Sequence, residues 1–74
     1  MQIQLLSCDA KKPDRRAIAK ALETYAIDVG NYEARELTGF LLDGSPVDIE
    51  VEGKTTSSAF RALRKLDIDY EIMD

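Results

Sequence analysis

The chain has 74 residues, 10 Lys and Arg against 14 Asp and Glu for a net charge of -4, one Cys, no His and no Trp. That length allows one domain, which buries roughly 60% of the surface its unfolded form exposes, and leaves no room for a catalytic domain beside a cofactor domain. A lone Cys excludes an intrachain disulfide framework, and without His the usual zinc ligand sets shrink to carboxylates and one thiol.

Ile3 and Leu5 alternate with Gln2 and Gln4, which predicts a strand over 2–8 that ends with Cys8 on its outward side. Pro13 suits a first helical position, where its missing N–H would have no partner, and Asp14 then falls in the first turn. Ile18, Ala21, Leu22 and Tyr25 follow at helical spacing, so a helix is predicted over 13–26. Asp28-Val29-Gly30 breaks it, and Asn31 is a good N-cap for a second helix with Glu33 and Glu36 near its start. Ala34, Leu37, Phe40 and Leu41 form the expected buried face, and Asp43-Gly44 ends the helix. The link is short, so the two helices form a hairpin.

Pro46 opens a second strand, in which Val47, Ile49 and Val51 alternate with Asp48, Glu50 and Glu52 until Gly53. Thr55 or Thr56 caps a third helix with Ala59, Ala62, Leu63 and Leu66 on its apolar face and Phe60 beside it; Arg64 and Lys65 fall in its last turn. Asp67 tolerates a left-handed turn. Ile68, Tyr70 and Ile72 then alternate with Asp69 and Glu71 in a third strand.

Each strand has one apolar face, so the fold class expected is α+β: a two-layer β-α-α-β-α-β domain over 1–74, three helices on one face of a three-stranded sheet. The opposite face carries Gln2, Gln4, Asp48, Glu50, Glu52, Asp69 and Glu71, with Asp67 a further candidate. Adjacent acidic strands would set like charges opposite one another. Placing the Gln-bearing first strand between them avoids this, and a right-handed crossover through the third helix can skip over it. The expected order is 2-1-3, with the first strand antiparallel to both neighbours.

Asp28 to Thr38 resembles a segment of the C-terminal domain of the bacterial ribosomal stalk protein, with a Gly-Leu-x-Glu-Ala-Lys-x-Leu-Val type pattern matched at Gly30, Glu33, Ala34, Arg35 and Leu37. Ala59-Phe-Arg-Ala-Leu-Arg-Lys-Leu66 is similar to that family's Ala-x-x-Leu-Lys-x-x-Leu helix, Asp69-Tyr-Glu-Ile72 to its closing strand, and Ile18, Lys20 and Leu22 to its first helix. The resemblance implies a non-catalytic module that docks translation factors through its first two helices. Lys20 matches a basic position of that surface, while Glu23 or Thr24 stands where a further basic residue is usual. The implied contact residues are Arg15, Arg16, Lys20, Glu23 and Arg35. The adaptor of Clp-type unfoldases has a related fold, but its His-bearing pocket has no counterpart in this chain.

Residues 1–42 sum to zero charge, so the whole excess lies in 43–74. Outward carboxylates two residues apart on a strand stand about 6.6 to 6.8 Å apart. Asp48, Glu50, Glu52, Asp69 and Glu71 could therefore imitate a phosphate row, the pattern of a stand-alone acidic inhibitor, of the kind phages deploy, that occupies a basic host protein surface. Against these are solvent-facing readings: exposed charge keeps a small domain from associating. The basic run Lys11 to Lys20 has no interleaved aromatic residues, and the net charge is negative, so nucleic acid is not an expected partner.

No enzyme is expected. Cys8 lacks a base. Thr55 to Ser58 reads as a capping cluster. Gly53-Lys54-Thr55 lacks the earlier glycine of a phosphate loop, for position 48 is Asp. The pairs Asp48/Glu50 and Asp69/Glu71 lack the turn-forming Gly and bidentate ligand of a calcium loop, so no metal or cofactor is expected. With no basic leader and no apolar run of about 20 residues, neither a signal peptide nor a membrane span is expected. A free thiol suits a reducing, cytoplasmic setting. The expected partner is a protein; the pattern leaves oligomeric state open.

Overall fold

The computed structural model describes residues 1–73. Its elements are β1 (Gln2–Cys8), α1 (Arg15–Tyr25), α2 (Asn31–Leu42), β2 (Val47–Glu50), a short 3-10 turn (Gly53–Thr55), α3 (Thr56–Lys65) and β3 (Ile68–Ile72). The sheet runs in the order β2-β1-β3 with β1 antiparallel to both neighbours, as the charge argument requires. Gln4 pairs with Asp48 on one side and Glu71 on the other, so an uncharged amide separates the two carboxylates.

The helices cover the apolar face. Ile3 and Leu5 of β1, Ile18 and Leu22 of α1, Leu41 of α2 and Val51 are all essentially fully buried. Thr38 joins them, its hydroxyl donating to the Ala34 carbonyl at 2.7 Å, so it carries no unmet polar group inward. Phe40, expected inside, is 52% exposed. The helical period explains this: Ala34, Thr38 and Leu41 define the inward stripe, and Phe40 lies two residues from Thr38, about 200° around the axis.

The helix ends also shift from expectation. Asp14 is the N-cap of α1, not a first-turn residue: its carboxylate accepts from the Ala17 N–H at 3.1 Å, which leaves Pro13 outside the helix. Asp14→Ala should therefore cost about 1 kcal/mol in urea unfolding, and Asp14→Ser should recover most of it. At the other end Ala26 is extended, because it leaves the helix to bridge Val51. Gly30, not Asn31, is the N-cap of α2; the Asn31 amide donates to the Glu23 carboxylate at 3.3 Å instead. Thr55 and Thr56 both donate their hydroxyls to the Glu52 carbonyl, so neither caps an α3 N–H. Gly44, at φ +92°, closes α2: its N–H donates to the Leu41 carbonyl and that of Ser45 to the Phe40 carbonyl. Asp67, at φ +58°, takes the left-handed turn after α3.

One irregularity changes the reading of β1. Leu5 pairs with Tyr70 but Ser7 with Asp69, so Leu6 has no opposite number on β3 and forms a bulge. Beyond it the alternation flips. Cys8, expected outward, pairs with Ile68 on the core side, packs against the core and directs its Sγ–H to the Leu66 carbonyl at 3.5 Å.

Candidate functional site: two opposed charged surfaces

The fold sorts charge by layer. No Lys or Arg lies on a strand, whereas Asp48, Glu50, Asp69 and Glu71 all do, and all four are exposed. Every Lys and Arg sits in the helices or their connections.

On the helical side, α1 and α2 pack as the expected hairpin and enclose an open groove of about 520 Å³ lined by Arg16, Lys20, Glu23 and Arg35, with Ala19, Thr24 and Asn31. It adjoins a second hollow of about 270 Å³ that adds Arg15 and Thr38 and shares Arg16, Ala19 and Arg35. All five residues singled out on this hairpin thus meet at one place. The helix period places them there: Arg15, Arg16, Ala19, Lys20 and Glu23 recur at three- and four-residue steps along α1 and face Asn31, Arg35 and Thr38 on α2. Ala19 keeps the floor low. Among the described residues none of the four cations makes an ion pair, so four positive charges face one carboxylate, itself engaged by Asn31. Such an arrangement attracts an anionic surface. Asn31, Ala19 and Thr38 escaped the sequence reading; only the pairing of the two helices brings them to the groove.

On the sheet side, Asp48, Gln4 and Glu71 form one row across three strands, with Glu50 beside Gln2 in the next. Glu52 is exposed just past β2. Asp69 is the special member. The bulge sets Ser7 opposite it, and the Ser7 hydroxyl donates to Asp9 at 3.3 Å, so Asp9 and Asp69 come together. A hydrogen bond with Asp9, and then the repulsion between the two charges, pushes the Asp69 carboxyl above its ordinary value, with Ser7 pulling the other way. Sequence pattern gave no sign of this pair, which exists only through the register shift.

A raised native pKa means that the folded state holds the proton more tightly. The stabilisation from protonated Asp69 is complete below about 3.8 and is lost as pH rises through the raised native value. Asp69→Asn should therefore melt higher than the parent at neutral pH, with the gap closing in acid; Tm measured against pH for both proteins checks this.

No group of three or more Cys, Asp or Glu side chains among the described residues is placed to hold a metal ion. No helix among them is long and apolar enough to cross a membrane. Compared with known proteins, the chain matches no family model, no curated protein and no solved structure.

Proposed function

We propose that this chain is a non-enzymatic docking module that receives an acidic segment of a protein partner in the α1–α2 groove, as the resemblance to the ribosomal stalk C-terminal domain implies. The observation that carries the reading is the convergence of Arg15, Arg16, Lys20 and Arg35 on one groove with no internal ion pair to neutralise them. A partner of the translation-factor type, met in the cytoplasm, supplies such a segment. Exposed cations of this kind act through encounter rate and orientation as much as through affinity, so binding should weaken with salt.

The test is an NMR titration of the isotopically labelled protein with a Glu-rich amphipathic helical peptide. Shifts confined to α1 and α2, and lost at high salt, are expected. No shift at the groove, or shifts spread evenly over the surface, would overturn the reading.

A second reading has its own observation. The sheet carries four exposed strand carboxylates and no strand Lys or Arg, a charge pattern that would suit a surface occupying a basic host site. On that reading the chain is an acidic inhibitor, of the kind phages deploy, and Asp48, Glu50, Glu52, Asp69 and Glu71 make the contact. A pulldown in which the variant Asp48→Asn/Glu50→Gln/Asp69→Asn/Glu71→Gln keeps every partner would exclude it.

A further inference from the structure

The sheet ends differently on its two sides. Beside β2 the chain itself continues the ladder: Ala26 bridges Val51, and the Ile27 N–H donates to the Glu50 carbonyl at 2.7 Å. Beside β3 no strand or loop among the described residues pairs with the outer edge, which runs from Ile68 to Ile72. An unpaired edge is a ready template for one more strand, because the backbone groups already point outward at the right spacing.

The two faces of β3 specify what that strand carries. Outward stand Asp69 and Glu71, both exposed, with Asp9 beside Asp69. Toward the helices stand Tyr70, whose ring stacks on Phe60 of α3 with centroids 4.6 Å apart and planes within 11°, and Ile72, which is 49% exposed. A strand laid along this edge therefore meets carboxylates on one side and partly covered apolar surface on the other, in alternation. A second copy of this chain does not fit. Antiparallel pairing of two β3 edges would bring Asp69 and Glu71 of one copy against those of the other, and like charges on facing strands oppose pairing.

We propose that the outer edge of β3 accepts an extended segment of a partner protein in which basic residues alternate with apolar ones, adding a fourth strand to the sheet. The basic side chains lie beside Asp69 and Glu71, and the apolar ones extend the cover over Tyr70, Phe60 and Ile72. Nothing in this depends on what occupies the α1–α2 groove, which faces the other layer.

The experiment titrates the labelled protein with a short peptide of alternating Lys and Val. Expected are shifts centred on Ile68 to Ile72 and slower amide exchange along β3. Pro in place of the central Val should abolish binding, since it removes a ladder donor. Glu in place of Lys should weaken binding about tenfold or more. The variant Asp69→Lys/Glu71→Lys, shown folded by circular dichroism, should reverse the preference between the Lys and Glu peptides. Three results would overturn the proposal: no change at β3, equal binding by the Pro-containing peptide (attraction to the acidic face without strand pairing), or an unreversed preference in the variant. Dimerisation of the protein alone through this edge would overturn the choice of occupant.

Discussion

Leu5→Ala is expected to cost about 2–5 kcal/mol, a large part of the roughly 4–11 kcal/mol available to a chain of this length. Leu5 is fully buried on the central strand, with Val47 opposite it on β2 and Tyr70 on β3, so its loss opens a cavity that both ladders border. A domain this small has few other apolar side chains to close over the gap. Urea unfolding followed by circular dichroism measures the cost, and the variant should be partly unfolded without denaturant at physiological temperature. The contrast lies one residue on. Leu6, on the bulge, is 36% exposed, and Leu6→Ala should change stability by no more than about 0.5 kcal/mol. Equal costs at the two positions would contradict the register of β1.

The largest functional effect is expected from Arg16→Glu/Arg35→Glu. Arg16 and Arg35 line both hollows of the groove, one from each helix. Each substitution replaces an attraction for an acidic partner with a repulsion. At up to about 1 kcal/mol per exposed contact, the pair should weaken binding roughly tenfold to several hundredfold. Stability should hardly move, since both side chains are exposed and make no ion pair to lose. Isothermal titration against the Glu-rich helical peptide gives the first number and thermal melting the second. The matched control is Asp48→Lys/Glu71→Lys on the sheet face, which should leave groove binding within about twofold. A control that lost binding while the groove variant kept it would move the site to the other layer.

Much of the architecture is legible in the chain because two periods dominate it. The alternation Val47, Ile49, Val51 against Asp48, Glu50, Glu52 names β2, and the spacing of Ile18 and Leu22 names α1. The strand order follows from charge, since only β1 lacks carboxylates between its ends. What stayed hidden depends on partners distant in sequence. The bulge at Leu6 arises from pairing with β3, more than sixty residues away, and it alone decides that Cys8 turns inward. Phe40, expected inside, lies outside because three apolar residues in a row, Phe40 to Leu42, leave the phase of the helix open in the sequence, and the burial of Thr38 fixes it. At the groove, the cations were legible as residues but not as a cluster. Arg35 reaches Arg16 only because the α1–α2 link is short and turns through Asp28 at φ +60°.

The bulge has a consequence for how this domain can vary in length. Before Leu6 the ladder with β3 runs Ile3–Ile72, Gln4–Glu71, Leu5–Tyr70; after it, Ser7–Asp69 and Cys8–Ile68. The partners on β3 are consecutive throughout, and β2 has already parted from β1 at Leu5. Removing Leu6 would join the two halves into an unbroken ladder with every remaining side chain on its present face. Losing Leu5 gives the same sequence, since its neighbour is also Leu, and losing Ser7, which shares the outward face with Leu6, leaves the same alternation, whereas losing Gln4 would turn an apolar residue out to the acidic face. The middle strand of the sheet, ordinarily the place least tolerant of insertions and deletions, thus contains one short site, the bulge from Leu5 to Ser7, where a single-residue deletion preserves the pattern of core and surface.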